Sequence, residues 1–139
     1  MVIYTRSVKN PGDIMSLYQT LGWAAYLEVT DEELNKAIQN SWSVLYAYMG
    51  DTLVGTARVI SDGVINAYLC GLGVHPRYRG HGIGRELVWR LADECAVSKL
   101  HLQLMCEEEL VPMYERMGFM VFARGMRPST DAGKQMFDR

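Results

Sequence analysis

One stretch constrains this chain more than any other: VHPRYRGHGIGREL, residues 74–87. Gly80, Gly82 and Gly84 alternate along it, Arg79 and Arg85 stand at either end, and an apolar helical pattern begins directly afterwards. A β-rich run precedes it, ends at Val74 and is broken by Pro76. A strand that ends in a loop opening a helix leaves several backbone N–H groups without helical partners. Those groups, together with the helix dipole, suit an anion. Glycines remove the β-carbons that would hold a phosphate away, and they tolerate positive φ. A charge-assisted hydrogen bond contributes about 1.5–3 kcal/mol, against roughly 1 for a neutral one. A nest of such donors can hold a diphosphate even though the chain's net charge is only −2. Attraction for phosphate is then local rather than spread over a basic surface, which argues against nucleic acid as a partner.

Two familiar phosphate loops fit this junction poorly. The Walker pattern needs Lys-Ser or Lys-Thr after its last glycine, and here Arg85-Glu86 follows. The dinucleotide fingerprint is G-x-G-x-x-G on the first strand of a parallel sheet, whereas these glycines fall as G-x-G-x-G after a meander of antiparallel strands.

The remainder of the chain supplies the frame. VIYTRSV reads as a short strand. Asn10 can cap a helix with Pro11 at its first position, followed by Ile14, Leu17, Tyr18 and Leu21 at helical spacing and Gly22 as a stop. WAAYLEV, residues 23–29, is apolar and aromatic without periodicity. TDEE, from Thr30 to Glu33, has the form of a capping box opening a second helix with Leu34, Ala37 and Ile38 as its stripe. SVLYAYM and TLVGTARVI are β-rich runs joined by Gly50-Asp51, a hairpin signal, and Asp62-Gly63 reverses the chain into a third such run, VINAYLCGLGV. After Gly82, one helical face carries Ile83, Leu87, Leu91, Ala92 and Cys95, and the other carries Arg85, Glu86, Arg90, Asp93 and Glu94. KLHLQLM alternates, ELVPMYERM reads as a short helix ending at Gly118, and FMVFARGM as a last strand; the tail after Pro128 has no clear pattern. The order predicts an α/β single domain over residues 1–139. Its twisted mixed sheet is mostly antiparallel, with helices on both faces and one parallel pair made by the glycine-led helix acting as crossover.

With 139 residues the chain suits one domain and buries about 70% of its unfolded surface, enough for a core without staples. Hydrophobic residues at 49% and charged residues at 22% are ordinary for a soluble protein. The three cysteines, Cys70, Cys95 and Cys106, are odd in number and lack C-x-x-C spacing. That opposes a disulfide framework or zinc site and favours a reducing compartment. MVIYTRSVKN has no long apolar run, so neither a signal peptide nor a membrane span is expected, and a cytoplasmic location is the default. No histidine pair has metal-ligand spacing.

RGHGIG satisfies R-x-x-G-x-G through Arg79, Gly82 and Gly84, and MYERMGF, residues 113–119, provides a second block at a fitting distance. With these two blocks and this element order the sequence resembles the GNAT family, the Gcn5-related N-acetyltransferases. The topology covers nearly the whole chain, and the specific motifs cover about residues 72–85 and 113–119. The resemblance implies that the diphosphate of acetyl-CoA binds at Arg79, Gly80, His81, Gly82, Ile83, Gly84 and Arg85. It also implies that Leu72, Gly73 and Val74 pair with the pantetheine arm as though it were another strand. A cleft between the third and fourth sheet strands after the hairpin region would hold the cofactor.

Amide formation from a thioester needs a neutral amine and a leaving thiol. An alkyl ammonium of pKa about 10.4 loses its proton at pH 7 at a cost of about 4–5 kcal/mol. A thiol of pKa about 8.5 needs about 2 kcal/mol of help, which a phenol beside the sulfur can supply. Spacing alone reads Tyr114 as a core tyrosine; the motif it shares with the family implies that it is this acid. The base stays open, since Cys70 and Gly71 stand where many relatives have a carboxylate. Glu28, Glu107, Glu108 and Glu109 are near only by family topology. Glu107 also replaces an asparagine that many relatives use on the cofactor arm. The segment before Glu28 usually shapes the acceptor pocket in this family, which makes Trp23, Tyr26 and Glu28 candidate substrate contacts, whereas Trp42 reads as core. Neither Cys70 nor Cys106 has an evident activating histidine, so direct attack in a ternary complex is expected rather than an acetyl-cysteine. The expected acceptor is a small-molecule amine, with a peptide N-terminus or lysine as the alternative acceptor. A non-catalytic acyl-CoA sensor is the alternative function. Dimers are common among relatives, and nothing in the sequence locates an interface for a homodimer.

Overall fold

The computed structural model describes residues 1–129, so the tail from residue 130 lies outside the described residues. The chain divides into two units, Met1–Leu104 and a second beginning at Met105.

The first unit is built on a sheet of five strands in the order β1-β2-β3-β4-β5. These are β1 (Val2–Thr5), β2 (Ser43–Met49), β3 (Thr52–Ser61), β4 (Asn66–Val74) and β5 (His101–Leu104). The first four pair antiparallel, and β4 pairs parallel with β5. The hairpin between β2 and β3 turns at Gly50, whose φ of 59° is the left-handed conformation such turns demand. The next reversal is held by Asp62, whose Oδ1 accepts from the amides of Val64, Ile65 and Asn66 at 2.9, 2.8 and 3.3 Å. Helix α4 (Ile83–Val97) is the crossover, and it buries Ile83, Leu87, Val88, Leu91 and Cys95. It lies against the side of the sheet where Gly55 leaves room: a β-carbon there would sit 3.0 Å from Ile83 and 3.1 Å from Leu87. The other face is covered by α1 (Asp13–Thr20), α2 (Trp23–Leu27) and α3 (Asp31–Gln39), with Ile14, Leu17, Tyr18 and Leu34 packed on Tyr46, Tyr48 and Leu53.

Two sequence expectations change in this unit. The first helix starts at Asp13 with Gly12 at its cap, not at Asn10-Pro11. The Asp13 carboxylate explains this: it accepts from the Asn10 amide at 3.2 Å and from the Tyr48 hydroxyl at 2.6 Å, which holds residues 10–12 in a turn over β2. WAAYLEV is not irregular; it contains α2, five residues bounded by left-handed Gly22 and Glu28. The capping box at Thr30 forms as expected, with bonds of 2.9 and 3.1 Å between Thr30 and Glu33.

In the second unit, a single turn at Glu108–Leu110 leads into α5 (Val111–Arg116). The predicted last strand, FMVFARGM, does not form. A strand exists only through ladder bonds, and residues 119–126 make none among the described residues; Met120, Val121 and Phe122 are exposed instead.

Burial pushes the Tyr46 phenol up to about 12, with Tyr18 adding to the shift. Tyr48 is also held at about 12, first by burial and then by its bond to Asp13. The native state therefore holds both protons more tightly than the unfolded chain. The stability this supplies is complete below about pH 10 and is lost as pH rises through 12, on the order of 2–3 kcal/mol for each phenol. Urea unfolding at pH 9 and pH 11.5 should show the decline. Tyr46→Phe should flatten it, and an unchanged slope in that variant would contradict the assignment.

Candidate functional site

β4 and β5 part company partway along their length. Their register runs from Asn66↔His101 to Leu69↔Leu104, so Cys70–Val74 continue with no β5 partner. On its other side, β4 pairs Cys70 with Arg58 and Gly73 with Thr56, leaving Gly71 and Leu72 opposite Ala57 alone. This is a β-bulge, and Gly71 takes it with φ 62°, a conformation costly for a residue with a side chain. Leu72, Gly73 and Val74 thus form the open-edged end of β4. Gly73 is overlaid from the helical side: a β-carbon on it would fall 2.5 Å from Leu21 and 2.7 Å from the Trp23 ring.

The chain leaves β4 through His75, whose amide bonds to the Val54 carbonyl at 2.7 Å and whose ring Nδ1 accepts from Arg77 at 3.2 Å. A turn at Pro76–Tyr78 follows. Arg79 then folds back, its Nε donating to the Val74 carbonyl at 3.0 Å. The His81 ring closes onto its own loop, with Nδ1 3.1 Å from the Tyr78 carbonyl and 3.0 Å from that of Arg79. Gly80 and Gly82 have φ of 82° and 78°, and nothing lies within 4 Å of where their β-carbons would stand. These two glycines are therefore set by backbone conformation, with open space left beside them.

Gly82 caps α4 without a side-chain bond. The first helical hydrogen bond runs from the Glu86 amide to the Gly82 carbonyl at 3.0 Å. The amides of Ile83, Gly84 and Arg85 thus precede any helical acceptor, and they find no other among the described residues. Ile83 is 2% exposed and anchors the turn in the core, while Arg85 lies outward with its guanidinium 5.4 Å from the Trp89 ring centre. The result is a cradle of free amides and left-handed glycines flanked by Arg79 and Arg85. The sequence places every one of these residues, and the structure brings them together at one end of β4.

The other expected residues are placed more unevenly. Trp23 packs edge-on to Tyr18 with ring centres 5.0 Å apart, directly over Gly73. Tyr26 is 79% exposed and Glu28, exposed as well, caps α2 at φ 53°; neither side chain has a hydrogen bond or ring contact among the described residues. Trp42 is half-buried beside Gly63, in line with a packing role. In the second unit, Tyr114 is 8% exposed on α5. Gly118, at φ 102°, turns the chain so that the Phe119 amide bonds the Tyr114 carbonyl at 3.1 Å and the two rings meet edge-on at 6.0 Å. That is what the MYERMGF block builds locally. Burial first, and Cys106 second, push the Tyr114 phenol above its usual value. Burial also raises the Cys70 thiol, against the opposing pull of Arg58.

Sequence reading missed Arg58. Its guanidinium lies on the α1 side of the sheet, donating from Nη1 to the Ser41 hydroxyl at 3.2 Å. The available signal was a lone charge inside TLVGTARVI.

Five strands with one parallel pair splayed at the glycine-led start of α4 match the N-acetyltransferase fold, and comparison with known proteins agrees. Residues 15–127 match the family model described as "Acetyltransferase (GNAT) domain". This chain belongs to the GNAT family of acetyltransferases. It is 25% identical over 132 residues to the "Uncharacterized N-acetyltransferase ycf52" of Pyropia yezoensis, covering 90% of this chain and 74% of that protein. Among solved structures it is similar to glucosamine-6-phosphate N-acetyltransferase from Arabidopsis thaliana, with a TM-score of 0.74, 18% identity, and 94% and 99% of the two chains covered. It is also similar to a "predicted acetyltransferase with acetyl-CoA" from Clostridium acetobutylicum, with a TM-score of 0.66, 21% identity, and 91% and 95% covered. Among the described residues, no helix is long and apolar enough to cross a membrane.

Proposed function

We propose that the protein moves an acetyl group from acetyl-CoA to the primary amine of a small molecule, by direct attack within a ternary complex. The observation that carries this reading is the start of α4, where the amides of Ile83, Gly84 and Arg85 stand free beside Gly80 and Gly82. That cradle fits a diphosphate in donor type and in space. The amides of His81 and Gly82 and the charges of Arg79 and Arg85 complete it. The open edge of Leu72–Val74 gives the pantetheine amides a strand to pair with. Acetyl-CoA supplies an acyl group already activated as a thioester.

The amine nitrogen bonds to the acyl carbon, the carbon–sulfur bond breaks, and the amine gives up one proton while the sulfur gains one. Tyr114 provides the proton for sulfur. This role rests on the MYERMGF block and on a buried phenol that keeps its proton at neutral pH. Direct attack is favoured over an acetyl-cysteine because burial raises the Cys70 thiol and leaves little thiolate to act as nucleophile.

The test is release of free thiol from acetyl-CoA in the presence of a panel of primary amines, with the acetylated product identified by mass. At least one amine should release thiol in a protein-dependent way. If acetyl-CoA raises the melting temperature but no amine releases thiol, the acyl-CoA sensor replaces the transferase. If ATP competes as well as CoA does, the cradle is a general nucleotide-phosphate site.

A further inference from the structure

The first unit carries a positive charge without a counter-ion, placed next to the bulge in β4. Arg58 is half-buried, and among the described residues its Nε is a buried side-chain nitrogen with no hydrogen-bond partner. Its neighbours are neutral. Ser41 accepts from Nη1 at 3.2 Å, Cys70 is its register partner across the sheet, and Tyr18 reaches it from α1. A β-carbon added to Gly71 would lie 3.4 Å from Arg58 Nε and 3.5 Å from the Tyr18 hydroxyl, so both groups face one spot beside the bulge. No carboxylate forms an ion pair with Arg58 among the described residues.

Shielding a guanidinium from water without a counter-charge is unfavourable, and a donor left idle beside it adds to the cost. Replacing Arg58 by an apolar residue would have been the simpler way to fill a β-strand position. We propose that Arg58 and Tyr18 form an oxyanion subsite, and that the acceptor carries a carboxylate or phosphate in addition to its amine. Nε and the phenolic O–H donate to the oxyanion, while Ser41 fixes the guanidinium from behind. Trp23, edge-on to Tyr18 and above Gly73, walls the subsite where β4 turns toward the cofactor cradle. Gly71 keeps a side chain out of that spot, since its φ of 62° is a conformation that residues with side chains rarely adopt.

The identity of the ligand as an acceptor rests on the transferase reading; the subsite itself is tested without turnover. The Arg58 Nε–H resonance, assigned by its disappearance in Arg58→Lys, is followed in ¹⁵N-labelled full-length protein. The probes are 4-aminobutanoate, O-phosphoethanolamine and their neutral counterparts, 4-aminobutanamide and ethanolamine. One oxyanion probe should shift the resonance saturably, and the neutral probes should not. Which one does so decides between carboxylate and phosphate. If neither oxyanion probe moves it at tens of millimolar, or if the neutral amines move it equally, the subsite is overturned. In the thiol assay, Arg58→Met should raise KM for the oxyanion-bearing amine at least about tenfold and barely change that for the neutral amine. Arg58→Lys should restore part of the loss. An equal fall for both amines would mean that Arg58 serves packing alone. A shifted Nε–H with no thiol release would uphold the subsite and remove the transferase.

Discussion

Gly82→Val is expected to weaken acetyl-CoA binding by at least about a hundredfold, read by calorimetry, with the ligand-free fold retained. Two effects act together. Gly82 holds φ 78° and ψ 10°, a region that costs a non-glycine residue about 1–2 kcal/mol and a β-branched one more. Relaxing that strain rotates the peptides that aim the first free amides of α4. The valine side chain also enters space that holds no protein atom within 4 Å, which is where the ligand's oxygens are proposed to lie. Losing two charge-assisted bonds of about 1.5–3 kcal/mol each accounts for a hundredfold or more. The same open surroundings explain why the fold should survive, since no core atom is displaced. An unchanged affinity would remove this loop from the binding site.

Tyr114→Phe should slow turnover about tenfold to thirtyfold at pH 7 and leave acetyl-CoA affinity nearly unchanged. A thiol of pKa about 8.5 leaves as thiolate at pH 7 at a cost of about 2 kcal/mol, which is the help proposed for the phenol. The deficit should therefore shrink as pH rises toward the thiol's own value and be small by about pH 9. Burial holds the Tyr114 phenol above its ordinary value, so the proposed acid keeps its proton throughout that range. The narrowing gap then belongs to the variant alone. A rate ratio that stays flat with pH would assign Tyr114 to packing against Phe119 rather than to proton transfer.

These expectations were legible in the sequence to different degrees, for physical reasons. The cradle could be read because glycine at a positive-φ position is nearly obligatory, and Gly80 and Gly82 occupy two such positions. The capping box at Thr30 and the turn at Gly118 are local chemistry of the same kind. The start of α1 could not be read, because it depends on a bond between Asp13 and Tyr48, 35 residues apart. Helix α2 escaped because five residues give too little length for a periodic pattern. FMVFARGM has strand-like composition, but composition cannot say whether a ladder partner will be present. Arg58 was visible as a charge in an apolar strand, yet its meaning comes from Tyr18 and from the bulge at Gly71, which only tertiary structure brings beside it.

The central claim concerns the backbone amides at the start of α4. A crystal structure of the protein with CoA tests it most directly. The account predicts diphosphate oxygens about 3 Å from the amide nitrogens of Ile83, Gly84 and Arg85. Diphosphate density lodged anywhere else on the chain would contradict it.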